Sequence, residues 1–388
     1  MNKFLYLFIT LFAIGFFSCS KDDVNSVTET NTPTTLKLTI ANVGVSTKAT
    51  GLTTTGGGVG TDEGTVNSMI VGVFKCTQST PNDNDPLDKI TEIPTGSLGS
   101  SISVKELTAG DRSVIVVTNY DDAAKTALLA AKTRGAFLAT TINLSVTTGS
   151  TTTTAGSTQV ATYLPMSGEA NDGTDNVIKL SAAATATASV TLSRLVAKIS
   201  INTINTSFIT PYANATFDLD KIFIYGALES STVAVGTNTT VPSAVTLING
   251  GTVSGSWAIE KPYLLDAGAL CSFSPVTPVT TYSTPHSFYV FANGNGTYPL
   301  KLVLGGEFDM DGTGTVATPS TTYYPIIINQ TTLTSSTGVI ARNTIYNVTA
   351  TIKGIGVTNP SENILPANLT LSVTPAEWTT SNQTVEFN

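Results

Sequence analysis

Short runs in which apolar and polar residues alternate recur along almost the whole chain, and turn-forming residues separate them. Successive side chains of a β-strand point to opposite faces, so this alternation is typical of strands with one buried face. Many short strands with turns between them favour β-sandwiches. We therefore predict an all-β fold with few short helices. The clearest runs are Leu36–Ile40, Met69–Phe74, Arg112–Asn119, Ser189–Ile201, Asp220–Leu228, His286–Asn293, Tyr298–Phe308 and Asn343–Gly356.

Helical periodicity is rare, and the best candidate lies between Asp121 and Ile142. Its centre is rich in the good helix formers alanine and leucine, and Gly135 offers a stop. The stretch Leu180–Ala188, LSAAATATA, consists of small residues without a clear pattern. We interpret it as the approach to a boundary between two domains, residues 49–188 and 189–388. A chain of 388 residues is long enough for two cores.

Charge and residue counts argue against several kinds of partner and site. The net charge of −8 argues against nucleic acid as a partner, because phosphates require a basic surface. The single histidine and three cysteines leave little material for a metal site, and we expect neither metal nor cofactor. Cys76 and Cys271 lie on apolar faces of alternating runs and are interpreted as small buried residues. A disulfide between them is disfavoured, because they fall in separate predicted domains.

The start of the chain has the layout of an export signal. Lys3 precedes an apolar run from Phe4 to Phe17, which is too short to span a bilayer but suits a signal-peptide core. The cysteine after this run, Cys19, is arranged as the acylated residue of a bacterial lipoprotein, with residues 1–18 as its signal peptide. The acidic pair at Asp22–Asp23 resembles the signal that sends Bacteroidetes lipoproteins to the outer face of the outer membrane. The alternative is an ordinary secretory signal with an incidental cysteine.

A removable strand and a protease site are predicted behind this signal. Leu36, Leu38 and Ile40 form one apolar face of a short strand. The residues that follow are rich in glycine and threonine, which is typical of a flexible protease substrate. Lys48 is the only basic residue between Lys37 and Lys75. It is either a cleavage site or simply a solvated loop lysine.

The end of the chain also has strand-like alternation. Val385 and Phe387 share one face of the last residues, and Leu369, Leu371 and Val373 share one face of a run just upstream. Chains usually end in polar, disordered tails. Both segments are therefore candidates for a strand that pairs with another sheet.

Known catalytic and metal-binding motifs give no support for an enzyme. The stretch Asp309–Gly314, DMDGTG, lacks the later ligands of a calcium loop and favours a hairpin turn. His286 lies at a predicted strand start with no identifiable catalytic partner. Trp257 and Trp378 are either core anchors or exposed rings that bind sugars, and the sequence does not choose between these.

Several fragments, in their order along the chain, together resemble the fimbrillins of Bacteroidales, the major pilins of type V pili. The resemblance covers most of the chain. The fragments are the lipoprotein start, VGVSTKAT, NSMIVGVF, LPMSGEA, LSRLVAKISI, YYPIIIN, ARNTIYNVTATIKGIG and AEW at Ala376–Trp378.

The resemblance implies a fold and an assembly route. The fold is two transthyretin-like β-sandwiches in tandem. The subunit reaches the surface as a lipoprotein anchored in the outer membrane, and a trypsin-like protease then cuts behind the first strand. Here that cut falls between Lys48 and Ala49, which makes residues 19–48 a propeptide. The strand that carries Leu36, Leu38 and Ile40 would leave, and the C-terminal strand of another subunit would fill the groove.

The leading hypothesis is therefore a structural fimbrial subunit that polymerises by strand exchange and supports adhesion. Its expected partners are other copies of itself or related pilins, the protease, and a ligand on a host or bacterial surface. An accessory tip adhesin or anchor pilin is a second hypothesis. A glycan-binding surface lipoprotein is the third.

Overall fold

The computed structural model describes residues 33–41, 63–99, 101–143, 161–234, 278–283, 286–293, 299–314, 320–329, 339–360, 362 and 369–377. These residues form nineteen β-strands and two short α-helices. The predicted all-β class is thus confirmed. The described strands divide into an N-terminal group, β1–β10, and a C-terminal group, β11–β19, apart from one small ribbon, β6–β13, that joins the two groups.

The N-terminal domain is built on one sheet in the order β3-β2-β5-β7-β9-β1-β4, to which β8 adds beside β5 and β10 beside β7. The two outer strands of this order, β3 and β4, approach each other: Lys89 Nζ on β3 donates a hydrogen bond to Glu106 Oε2 on β4 at 2.8 Å. The sheet therefore folds over its own apolar side chains. The strands are β1 Thr34–Ala41, β2 Met69–Lys75, β3 Leu87–Ile93, β4 Ser101–Leu107, β5 Gly110–Thr118, β6 Thr141–Asn143, β7 Met166–Asn171, β8 Ile178–Leu180, β9 Thr185–Thr191 and β10 Ser193–Arg194.

The predicted helical segment contains two helices, α1 Asp122–Ala130 and α2 Arg134–Leu138. Asp121 caps α1 by accepting a hydrogen bond from the backbone N–H of Ala124 at 2.8 Å. The expected stop at Gly135 is wrong, since α1 ends at Ala130 and Gly135 lies inside α2. Gly135 is needed there for space, because a Cβ at this position would approach Asp83 Cβ to 2.7 Å.

The C-terminal domain is a sandwich of two sheets, in the orders β14-β11-β18-β19, with β15 also beside β11, and β12-β16-β17. Buried side chains of both sheets form one core, among them Ile199 and Val348 from the first and Phe217 and Leu302 from the second. The strands are β11 Val196–Thr206, β12 Thr216–Tyr225, β13 Ser230–Thr232, β14 Thr281–Tyr282, β15 His286–Phe291, β16 Lys301–Asp309, β17 Ser320–Ile327, β18 Thr344–Ile352 and β19 Leu369–Glu377.

The strands around the predicted boundary at 188/189 join different sheets. β9 runs from Thr185 to Thr191 through the expected boundary at 188/189, and it pairs with β1 and β7 of the N-terminal sheet. Leu192 still packs in the N-terminal core, whereas Ala197 packs in the C-terminal core. The run Ser189–Ile201 is therefore divided among three strands. We propose that the boundary lies between Leu192 and Ala197.

The two domains share a third apolar cluster and a small β-ribbon. Phe74, Leu128 and Phe137 of the N-terminal domain pack with Tyr289 and Phe291 of the C-terminal domain. In the ribbon, β6 pairs with β13 in antiparallel register. The two domains are thus joined by side-chain packing and by main-chain hydrogen bonds, and we call this region the domain junction.

Candidate functional site

Strand β1 lies inside the N-terminal sheet and has a partner on each side. It runs parallel to β9, from the Thr35–Thr185 pair to the Ala41–Thr191 pair, and antiparallel to β4. Its backbone groups are therefore engaged along both edges. A sheet that lost this strand would present two rows of unpaired backbone groups facing one gap, which is the geometry that accepts an added strand.

The side chains of β1 alternate as the sequence predicts. Leu36 and Leu38 are fully buried and Ile40 is 6% exposed, while Lys37 and Thr39 face solvent. Burial of a large aliphatic side chain contributes about 1.5–3 kcal/mol, so these three together contribute about 5–9 kcal/mol to holding β1.

The walls of this position are apolar as well. Val104 and Ile102 on β4 lie opposite Leu36 and Leu38. On β9, Ala188 and Val190 lie opposite Leu38 and Ile40. All four wall residues are buried in the N-terminal core. We call this space, with or without β1 in it, the β1 groove. It requires an occupant whose apolar residues alternate.

The C-terminal candidate segments are placed differently from each other. Leu369, Leu371 and Val373 belong to β19, which pairs in antiparallel register with β18 from the Ile352–Leu369 pair to the Thr344–Glu377 pair. β19 is thus an edge strand of the chain's own C-terminal sheet. Val385 and Phe387 lie outside the described residues.

The three predicted processing residues, Cys19, Lys48 and Ala49, also lie outside the described residues, as does Cys271. In the part of the chain that the structure describes, no helix is long and apolar enough to cross a membrane. Cys76 is half-buried and follows the end of β2. Burial, reinforced by Asp85 and Asp111, raises the pKa of its thiol to about 12, so this cysteine stays protonated at neutral pH.

The stretch at Asp309–Gly314 closes a turn, as predicted. The carboxylate of Asp309 accepts backbone hydrogen bonds from Asp311, Gly312 and Gly314 at 3.0–3.2 Å. This turn starts the connection between β16 and β17, which pair as neighbours in antiparallel register. Among the described residues, no group of three or more histidine, cysteine or acidic side chains is placed to hold a metal ion.

A buried polar network at the domain junction was missed by the sequence reasoning. Glu63 Oε1 accepts hydrogen bonds from Lys198 Nζ at 2.7 Å and from the Tyr289 hydroxyl at 2.5 Å. Arg194 Nε donates to the Glu63 backbone oxygen at 3.0 Å. Burial and the Glu63 carboxylate raise the pKa of Tyr289, so its hydroxyl remains a donor. A signal was present in the sequence: Lys198 is a charged residue within the apolar run LVAKISI.

Comparisons with known proteins agree with this fold. Residues 18–203 match the family described as Major fimbrial subunit protein (FimA). None of the curated proteins matches the chain by sequence.

Two solved structures are similar over most of the chain. A candidate cell adhesion protein from Bacteroides eggerthii has a TM-score of 0.58 at 21% identity, and the alignment covers 90% of this chain and 97% of that protein's chain. A fimbrilin from Porphyromonas gingivalis has a TM-score of 0.57 at 17% identity and covers 91% of this chain and 99% of its own. At these identities the likeness shows a shared fold. The family match covers just under half of the chain: over residues 18–203 the sequence is similar to the major fimbrial subunit family, a family of structural subunits of cell-surface fimbriae and not of enzymes.

Proposed function

We propose that this chain is the repeating shaft subunit of a fimbria and that it polymerises by strand exchange at the β1 groove. The single observation that carries the proposal is the position of β1 between β4 and β9, with Leu36 and Leu38 fully buried. A strand that close to the N-terminus can be detached by one cut behind it. The groove that it leaves would require a donor strand with alternating apolar residues.

The proposed order of events starts with export of a precursor that is lipidated at Cys19 and held in the outer membrane. A trypsin-like protease then cuts between Lys48 and Ala49, and β1 leaves with the propeptide. The C-terminal segment of another subunit enters the β1 groove. Val385 and Phe387 are the proposed donor side chains, because β19 already has a place beside β18 in the chain's own sheet.

N-terminal sequencing of fibres taken from the cell surface tests the shaft role. We expect the fibre subunits to begin at Ala49, because the propeptide leaves with β1. A major species that keeps a lipidated Cys19 would contradict this and would indicate an anchor pilin. Fibres in which the chain occurs once, at the end, would indicate the tip adhesin.

Replacing Cys19 with alanine is expected to abolish lipid labelling of the precursor and to remove it from the cell surface. The physical reason is that stable membrane attachment requires acyl chains, and Cys19 is the proposed acceptor. Labelling with a radioactive fatty acid and surface immunoblotting measure the two effects. Cys76→Ala is the matched control, since that thiol lies in the folded N-terminal domain. Normal surface display of the Cys19 variant would rule out the lipoprotein route.

A further inference from the structure

Residues 42–62 connect two points that both lie at the domain junction. The upstream point is Ala41 at the end of β1, which is paired with Thr191 shortly before the chain passes into the C-terminal domain. The downstream point is Glu63, which contacts Arg194, Lys198 and Tyr289 at the start of that domain. The connection that carries Lys48 is thus fixed at both ends next to the junction.

The downstream end is held by a buried ion pair. The side chains of Lys198 and Glu63 are 7% and 11% exposed, and Tyr289 is 2% exposed. Desolvation offsets much of the attraction within a buried ion pair, but removal of one partner is strongly destabilising because it leaves an uncompensated buried charge. The partners of Glu63 come from three different strands, β10, β11 and β15.

A second set of hydrogen bonds continues the attachment toward β2. The backbone N–H of Asn67 donates to Asn119 Oδ1 at 2.8 Å, and Asn119 Nδ2 donates to the Thr65 backbone oxygen at 2.7 Å. Asn67 Nδ2 also donates to the Thr162 backbone oxygen. The chain from Glu63 to the start of β2 is therefore fastened to both domains.

The hydrogen-bond partners of this segment lie outside β1. Arg194, Lys198 and Tyr289 lie in strands other than β1 and its two neighbours, β4 and β9. Asn119 follows β5, and Thr162 precedes β7. The departure of β1 would therefore leave the attachment of Glu63 in place.

We propose that Glu63 is a latch: it fixes the chain behind the removable segment to the C-terminal domain, so that loss of β1 stops there and does not spread into β2. The part about β1 rests on the proposed function, whereas the latch itself is a property of the uncut chain. The latch requires a carboxylate at position 63 that reaches Lys198 and Tyr289 together.

Hydrogen exchange measured by mass spectrometry on the uncut, full-length chain tests the latch. In Glu63→Ala we expect exchange of the segment Gly64–Ser68 to rise at least tenfold, while exchange of β2 and β5 stays within twofold. Glu63→Gln, which keeps the side-chain shape and loses the charge, is expected to fall between Glu63→Ala and the native chain. Unchanged exchange of Gly64–Ser68 in both variants would overturn the latch.

Glu92→Ala is the matched control. Glu92 accepts hydrogen bonds from Lys125 at 2.7 Å and from the Tyr120 hydroxyl at 3.2 Å, so it has the same kinds of donor as Glu63. It is 40% exposed, however, and its partners lie within the N-terminal domain. Its loss is expected to leave Gly64–Asn67 unchanged; Ser68 is left out of this comparison because its side chain interacts with Tyr120. If Glu92→Ala raised exchange there as much as Glu63→Ala does, the effect would be general loosening and the latch would be wrong.

The same measurement on protein cut behind β1 completes the test. We expect Gly64–Ser68 to stay protected in the native chain after cutting and to lose protection in Glu63→Ala. If the segment lost protection after cutting in the native chain as well as in Glu63→Ala, Glu63 would not be what keeps the loss of β1 from spreading. The uncut chain distinguishes failure of the latch from failure of polymerisation by strand exchange. If only strand exchange is wrong, the difference in hydrogen exchange between the native chain and Glu63→Ala is still seen in uncut protein.

Discussion

Replacing Lys48 with alanine is expected to give a folded, exported precursor that remains uncut and forms no fibres. Without the cut, β1 stays covalently attached and keeps its place between β4 and β9. Its three buried apolar side chains contribute about 5–9 kcal/mol to that place. An incoming donor strand would gain a similar amount, but the uncut β1 is tethered beside the groove and therefore outcompetes it. Electron microscopy of the cell surface and immunoblots for full-length chain and for high-mass ladders measure the effect.

Lys37→Ala is the matched control for this variant. Lys37 is also a basic residue that faces solvent, but it lies within β1 and is paired with Ser103 and Thr187 in the neighbouring strands. A protease requires several residues in extended, unpaired form, so a paired strand is a poor substrate. We expect Lys37→Ala to be cut and to polymerise normally. Fibres from Lys48→Ala would show that the cut lies elsewhere or that β1 is not removed.

Deletion of Asn382–Asn388 is expected to stop propagation completely while leaving folding, export and cleavage intact. The described part of the C-terminal sheet ends with β19 at Glu377, so the deleted residues are not part of its described pairing. Thermal unfolding of the uncut, truncated monomer should therefore match that of the full-length chain. A Tm lowered by several degrees would mean that the deleted residues belong to the subunit's own core.

Paired substitutions sharpen this test. Val385→Ser with Phe387→Ser removes the apolar face of the last residues, and we expect it to block polymerisation as the deletion does. Thr384→Ser with Glu386→Gln changes the opposite face and should polymerise normally.

Truncation before β19 distinguishes the two candidate donor segments. Removal of everything after Ala367 also deletes β19, which pairs with β18 along its whole length, so it should lower monomer stability. If the shorter deletion still polymerised, the donor role would move to Leu369–Val373. Polymerisation of both truncations would rule out a C-terminal donor.

Much of the strand inventory follows from local pattern. The runs at Met69–Phe74 and Leu36–Ile40 became β2 and β1 with shifts of one or two residues at their ends. Such runs are predictable because alternation with period two depends only on neighbouring residues. The division of the run at Ser189–Ile201 into β9, β10 and β11 was not predictable in this way, since it depends on which sheet each piece joins. The same holds for Gly135, whose role is set by Asp83, far away in sequence.

The sequence by itself determined that this chain is all-β, that Leu36, Leu38 and Ile40 share one face, and that its fragments resemble fimbrillins. These features are local or compositional, so reading neighbouring residues is sufficient. Only the tertiary structure decided that β1 lies between β4 and β9, that β19 lies beside β18, and that Glu63 meets Lys198 and Tyr289. Strand order and buried ion pairs join residues up to 226 positions apart, and no local pattern encodes which partner a strand edge or a buried charge will find.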